Sequence, residues 1–235
     1  MGYIGLQDVI DAGNIKVMND SRYPHRWYDA FGECEKFVTR EFTADDWTAT
    51  ATETSTFEKG VLRGIFGLIT TENVDFAGIN AQLNGTKFSI AAGKPLYFGA
   101  KIEVDDDDKI DVLVGMCGTD TTLMAASSAH AVAVSAGGIF FSKLDNVKVI
   151  NFKTYTTGTE VNTAAVGTIS KTAAQVYEFY WDGVSTLNAW LDGVLVAKFT
   201  SGITTEVLTP SICVRAGEDS AKTCKVHWIR AIQAL

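Results

Sequence analysis

The segment Val176–Phe199 constrains the fold of this chain more than any other stretch. It reads VYEFYWDGVSTLNAWLDGVLVAKF, with apolar residues alternating with others around two Asp-Gly dipeptides. Alternation with a period of two is typical of β-strands, and Asp-Gly supplies the two positive-φ residues of a type I′ hairpin turn. A turn at Asp192 and Gly193 therefore predicts two antiparallel strands. The register that follows pairs Trp190 with Leu195 and Ala189 with Val196.

Strand-like runs separated by turn signals continue along the chain from about residue 57. Short strands at this spacing are typical of an all-β sandwich. We predict strands at Gly60–Thr70, Gly78–Leu83, Lys87–Ile90, Leu96–Val104, Ile110–Met116, Gly138–Lys143, Val147–Lys153, Gly167–Ser170, Val176–Trp181, Leu187–Leu191, Val194–Thr200, Ser211–Arg215 and Lys225–Ile232. The expected fold is an antiparallel two-sheet sandwich over residues 48–235, preceded by an irregular N-terminal extension or arm over residues 1–47.

Four local patterns add to this organisation. Alternate threonines between residues 48 and 56 predict one exposed threonine face or a sheet edge. Asn84-Gly85 predicts a second hairpin turn, and the aspartates of the DDDDK run at 105–109 predict a solvated turn. The Ala/Ser-rich stretch at 124–138 fits a strand, a short helix or a loop equally well.

Charge and composition argue against two kinds of partner. The net charge is −8 and the Lys and Arg residues are scattered, whereas phosphate binding requires a clustered basic surface. No run approaches the roughly 20 apolar residues that cross a bilayer. The N-terminus does not look like a signal peptide, so we expect synthesis in the cytosol, with neither nucleic acid nor membrane as a partner.

The four cysteines contain no CxxC pair, which argues against a zinc site. Free, buried thiols are the first interpretation. The alternative is a cross-strand disulfide between Cys213 and Cys224, which would lie opposite each other if Glu218 and Asp219 formed the turn of the last hairpin.

The carboxylate run from Glu103 to Asp108 is the one candidate for catalysis. Retaining glycoside hydrolysis needs two carboxyl groups about 5 Å apart, and residues two apart on a strand point the same way. Jelly-roll endoglucanases carry Glu-x-Asp-x-Glu or Glu-x-Asp-x-x-Glu, but Asp107 or Asp108 stands here where the second glutamate belongs. The run also lacks the glycine and the final glutamate of a calcium loop. We therefore predict no catalytic residue, no metal, no cofactor and no enzyme activity.

The best candidate contact surface lies in the arm, since exposed aromatic groups often anchor interfaces. Its members are Tyr23, Trp27, Tyr28 and Phe31. The alternative is that they fold back over one sheet and enlarge the core. The tryptophans Trp181, Trp190 and Trp228 fit core packing better than a sugar-stacking platform, and the three widely separated histidines His25, His130 and His227 fit structural roles.

The C-terminal third of the chain resembles a known fold. Val176–Phe199, followed by Pro210 and the closing segment KVHWIRAIQAL, is similar to the last third of concanavalin A-like (laminin G-like) jelly rolls, and GIFFSKLD at 138–145 resembles jelly-roll proteins of tailed-phage virions. The resemblance covers about residues 55–235. It implies a capsid decoration or cement protein that binds the outside of a phage head.

Three functional hypotheses follow. The first is that structural virion protein, assembled in the host cytoplasm, with the major capsid protein as partner and self-association as a trimer or dimer. The second is a lectin-like carbohydrate-binding module of a phage fibre or cell-surface protein. The third is a glycoside hydrolase, for which Glu103 would be required.

Overall fold

The computed structural model describes residues 34–38, 46–59, 65–84, 88–127 and 129–234. All regular elements in these ranges are strands, and none of these residues belongs to a helix long and apolar enough to cross a membrane. The strands are β1 (Cys34–Val38), β2 (Trp47–Thr52), β3 (Thr56–Lys59), β4 (Gly67–Thr70), β5 (Gly78–Leu83), β6 (Phe88–Ser89), β7 (Leu96–Val104), β8 (Ile110–Cys117), β9 (Gly138–Lys143), β10 (Val149–Thr156), β11 (Thr159–Thr168), β12 (Gln175–Trp181), β13 (Leu187–Leu191), β14 (Val194–Phe199), β15 (Val207–Ala216) and β16 (Thr223–Ala234).

The described strands form two antiparallel sheets packed face to face. The first sheet has the order β14-β13-β12-β7-β16-β4-β3, and β1 also pairs with β16. The second sheet has the order β11-β10-β9-β8-β15-β5-β2, and β6 also pairs with β15. The predicted all-β antiparallel sandwich is therefore confirmed.

The core lies between the two sheets because alternate residues of each strand point inward. In β7, the inward positions begin with Leu96 and Phe98, which are fully buried. Aromatic rings join the layers: the Phe141 and Tyr177 ring centroids are 5.4 Å apart, and those of Phe152 and Phe179 are 6.0 Å apart. Each such side chain contributes about 1.5–3 kcal/mol through burial.

The hairpin at residues 192–193 confirms the turn prediction and corrects its register. Asp192 has φ 50° and Gly193 has φ 79°, as a type I′ turn requires. Trp190 pairs with Leu195 as predicted, but Ala189 pairs with Ala197. A bulge between the two pairs leaves Val196 as the extra residue, so its predicted pairing with Ala189 is wrong.

Strands with strong apolar alternation match their predicted bounds, whereas polar strands do not. The strands at Gly78–Leu83 and Leu96–Val104 are exact matches. In contrast, β11 begins at Thr159, eight residues before the run predicted there, because nearly all of its side chains are exposed or half-buried. The hairpin predicted at Asn84-Gly85 is wrong for the described strands, because β6 pairs with β15 and the partners of β5 are β15 and β2; Gly85 itself lies outside the described residues.

The first interpretation of the cysteines, free and buried thiols, is confirmed for Cys117, Cys213 and Cys224, and the alternative of a Cys213–Cys224 disulfide is wrong. The chain changes sheets after Ala216, so β15 and β16 lie in different layers and do not pair as a hairpin. Cys213 lies opposite Leu113 in the second sheet, and Cys224 lies opposite Val104 in the first. Both are buried free thiols.

The N-terminal part of the chain also contributes a strand to the sandwich. β1 falls within residues 1–47 and pairs along its length with residues 230–234 of β16. The division of the chain at residue 47 stays a prediction.

Candidate functional site

A long irregular segment covers part of the outer face of the second sheet. This cover loop, defined as residues 118–127 and 129–137, connects β8 to β9 and contains one isolated bridge, between Met124 and Val132. Of the three alternatives for the Ala/Ser-rich stretch, the loop is the one found, and neither a strand nor a helix forms among its described residues before β9. Apolar side chains fix it to the sheet in a second buried cluster, made of Leu113, Cys117, Leu123, Met124, Val134, Phe140, Tyr155 and Cys213.

A polar cleft opens beside the cover loop. Its volume is about 140 Å³, roughly four to five times the share of one liquid water molecule. The lining comes from β2, β5, β15 and the cover loop, and consists of Thr48, Thr50, Asn80, Gln82, Leu83, Asn84, Thr119, Asp120, Thr121 and Thr209. The predicted threonine face of β2 therefore forms one wall of the polar cleft.

Two amides on β5 form the floor of the polar cleft. Asn80 and Gln82 are two residues apart and therefore lie on the same face of the strand. The Gln82 amide donates to the Gly118 carbonyl (3.0 Å) and to Ser211 Oγ (2.9 Å), and its Oε1 accepts from the Asp120 N–H (2.8 Å). Gln82 is therefore fixed by three hydrogen bonds.

Asn80 has an unused acceptor. Its Nδ2 donates to the Asp120 carbonyl at 2.8 Å, and the residue is only 2% exposed. Its Oδ1 is buried and finds no hydrogen-bond partner among the described residues. Buried amide oxygens are almost always paired with protein, water or ligand, so a water molecule or a ligand is the expected donor to this atom. Sequence reasoning missed this residue, although two amides on one face of GINAQL were a signal for it.

The Asp120 carboxylate is committed to the structure of the cover loop. One oxygen accepts from the Thr122 N–H at 2.9 Å. The other accepts from the Ser135 N–H at 2.9 Å and from the Ser135 hydroxyl at 2.6 Å. These bonds tie the two ends of the loop together, so the groups that the polar cleft offers to a ligand are mainly neutral hydroxyls and amides.

Three carboxylates of the Glu103–Asp108 run are paired with lysines away from the polar cleft, namely Glu103 with Lys225, Asp106 with Lys222 and Asp107 with Lys148. Glu103 accepts from Lys225 at 2.6 Å, which is the main reason why its pKa is lowered. Burial alone would raise the pKa of Asp106, but hydrogen bonds from Lys222 and two backbone N–H groups outweigh it and hold that pKa far below its usual range. Such carboxylates stay ionised near neutral pH and are poor proton donors.

The tryptophans considered above do not line the polar cleft. Trp181 is buried and donates from Nε1 to the Ala91 carbonyl at 3.2 Å. Trp190 is also buried, and Trp228 is half-buried with the Arg230 guanidinium 3.9 Å from its ring centroid. The interpretation as packing residues therefore fits Trp181 and Trp190.

Two of the three histidines are described, and both contact carboxylates. His227 Nε2 lies 3.5 Å from Glu103 Oε2 on the first sheet. His130, in the cover loop, lies 2.6 Å from Asp111. Among the described residues, no group of three or more His, Cys, Asp or Glu side chains is arranged to hold a metal ion. His25 and the predicted contact residues Tyr23, Trp27, Tyr28 and Phe31 lie outside the described residues.

The fold is similar to that of several solved structures, while no protein-family model and no curated protein sequence matches the chain. An endo-1,3-beta-glucanase from Streptomyces sioyaensis is 13% identical, with a TM-score of 0.58 over 86% of this chain and 97% of the glucanase chain. A beta-1,3-1,4-glucanase (lichenase) from a mouse hindgut metagenome is 10% identical, with a TM-score of 0.60 over 83% and 98%. The carbohydrate recognition domain of Emp47p is 8% identical, with a TM-score of 0.56 over 84% and 92%.

These comparisons correct one prediction. The prediction that the chain is not an enzyme is wrong as an exclusion, because glucanases are glycoside hydrolases and share its architecture. Likeness at this level of identity establishes the fold, and a jelly roll hosts both catalytic and binding proteins. The chain has the antiparallel two-sheet fold of the concanavalin A-like jelly-roll proteins.

Proposed function

We propose that this chain binds a neutral carbohydrate in the polar cleft. The unpartnered, buried Oδ1 of Asn80 carries the proposal, because a sugar hydroxyl is a donor that would satisfy it. Thr50 of β2 and Thr121 of the cover loop also line the cleft, and their hydroxyls can both donate and accept, as sugar hydroxyls do. The named glucanases and the Emp47p domain support this ligand class.

The electrostatics favour a neutral sugar over an anionic one. The chain carries a net charge of −8, and Asp120 is the one acidic residue among the described residues that line the polar cleft. Negative potential of this kind lowers the local concentration of anions. Uronic acids and sulfated sugars are therefore expected to bind more weakly than neutral glucans.

The test measures binding of oligosaccharides from β-1,3-glucan and from β-1,3-1,4-glucan by titration calorimetry, with sulfated glucan as the anionic comparison. Asn80→Ala should weaken binding about 2- to 12-fold, the effect of one neutral hydrogen bond. Thr121→Val removes an exposed hydroxyl and is a second variant that leaves the buried amides intact. Asn188→Ala, on β13 of the first sheet, is the matched control and should bind like the wild type.

Two results would overturn this proposal: no binding of any neutral glucan by the wild type, or equal affinity in the wild type and in both cleft variants. The same ligands are assayed for release of reducing ends, because the similar glucanases are hydrolases. Glu103→Gln tests whether any such activity depends on the carboxylate run.

A structural role in a virion, as a decoration protein on a phage head, is a second proposal. One observation favours it: Val194 and Leu195, on the edge strand β14, are 64% and 55% exposed. Apolar side chains on an unpaired edge are a surface to which another chain can add. The mass of the protein in solution and its co-sedimentation with capsids test it, and Val194→Lys with Leu195→Lys should abolish both associations.

A further inference from the structure

The polar cleft depends on a loop that has almost no secondary structure of its own. Thr119, Asp120 and Thr121 of the cover loop form one wall, while Asn80 and Gln82 form the floor. Floor and wall are joined by backbone hydrogen bonds to the two amides. Any displacement of the loop would therefore alter the geometry in which the Asn80 acceptor is presented.

His130 fastens the middle of the cover loop to β8. Its Nδ1 lies 2.6 Å from Asp111 Oδ2, and because an ionised carboxylate can only accept, the imidazole N–H is the donor. Its Nε2 lies 3.5 Å from Asp75 Oδ1 and 3.8 Å from Asp145 Oδ2. The ring also stacks on Phe76, with centroids 4.3 Å apart and planes 9° from parallel.

The carboxylate that receives this bond is a rigid anchor. Asp111 is 1% exposed on β8, and its other oxygen accepts from the Asp145 N–H at 2.7 Å. Burial raises the pKa of Asp111, and the hydrogen bond from His130 opposes that rise. Leaving a buried carboxylate without its partner is strongly destabilising, so Asp111 favours the position of the loop in which His130 contacts it.

We propose that His130 is a positioning residue of the polar cleft: by bonding to Asp111, it holds the cover loop in the position that carbohydrate binding requires. The inference rests on the proposed function. His130 does not line the cleft, so it would affect affinity indirectly, by setting the position of the cover loop.

The experiment measures two quantities separately, the stability of the closed loop and the affinity for the ligand. Hydrogen exchange is measured for the Thr122 and Ser135 amides, whose bonds to Asp120 close the loop. Affinity is measured for β-1,3-glucan oligosaccharides. His130→Phe keeps a ring on Phe76 but removes the donor, and His130→Asn restores a donor near the Nδ1 position. His227→Phe, on the first sheet, is the matched control.

We expect the amides of His130→Phe to exchange about tenfold faster or more and its affinity to fall about tenfold or more, the effect of losing one hydrogen bond to a charged group. His130→Asn should recover most of both, and His227→Phe should change neither. Unchanged exchange in His130→Phe, or faster exchange with unchanged affinity, would overturn the proposal. If the wild type binds no glucan, the proposed function fails, and the exchange data still decide whether His130 fastens the loop.

Discussion

Lys222 offers the sharpest test of how the acidic run is stabilised. Its side chain is 5% exposed, and its Nζ lies 2.8 Å from Asp106 Oδ2 and 2.6 Å from Glu218 Oε1. It thus connects the turn after β7 to the turn before β16. Removing one partner of a fully buried ion pair costs about 3–5 kcal/mol. Because the Asp106 and Glu218 side chains are 23% and 43% exposed, we discount this for screening to about 2 kcal/mol for Lys222→Met.

The pH dependence of that loss follows from Asp106. Its pKa is lowered in the folded state, so its stabilising contribution is present above the unfolded value of about 3.9 and is lost as the pH falls towards the folded value. The difference in unfolding free energy between the wild type and Lys222→Met should therefore be about 2 kcal/mol at pH 7 and shrink steadily below about pH 5.

Urea denaturation at several pH values between 7 and 2.5 measures this difference, and the melting temperature at pH 7 should fall by about 4–8 °C. Lys148→Met is the control: Lys148 pairs with Asp107 at 3.1 Å but is 52% exposed, so its loss should have no measurable effect. A difference that stays constant from pH 7 to pH 2.5, or equal losses in the two variants, would refute the reasoning.

Two further predictions concern the sandwich itself. Gly115→Ala should lower the unfolding free energy by about 3 kcal/mol, because the added Cβ would lie 2.4 Å from the Ile139 carbonyl oxygen of the adjacent strand. Gly193→Ala should lower it by only about 1 kcal/mol, because the added Cβ meets open space and only the φ of 79° is unfavourable. Urea denaturation of both variants tests this order. Burial raises the pKa of Cys213 to about 12 and that of Cys224 still further, so both thiols should resist iodoacetamide in the native protein and react on unfolding, as peptide mapping would show; rapid native labelling would contradict their burial.

Features that depend on residues adjacent in the sequence, such as turns, were predicted correctly. Strand partners that depend on segments far apart in the sequence were not. Asp192-Gly193 determines its own turn, because both residues adopt positive φ locally. The partner of Cys213 depends on the change of sheet after β15, and nothing in the local pattern around Glu218 distinguishes a hairpin from a crossing between layers. The fold class was therefore predictable, because it depends on local alternation and turns. The pairing of the last two strands was not, because it depends on distant strands.

The polar cleft escaped prediction for a related reason. Asn80 is one of two amides on an otherwise apolar strand, and taken alone it fits an ordinary outward-facing residue. Its importance arises only because the cover loop, some 40 residues further along, takes up its Nδ2 and buries its Oδ1. The Ala/Ser-rich loop has no periodicity that would indicate where it lies.

The arrangement of the cover loop explains why such a cleft would suit a ligand. Apolar residues of the loop cover one part of the sheet face, and Gln82 fixes the loop to the floor through two hydrogen bonds, so little ordering remains to be done on binding. An acceptor such as Asn80 Oδ1 is costly to bury without a donor. A sugar hydroxyl can supply that donor while its ring fills the cleft, which converts a penalty in the free protein into affinity for the ligand.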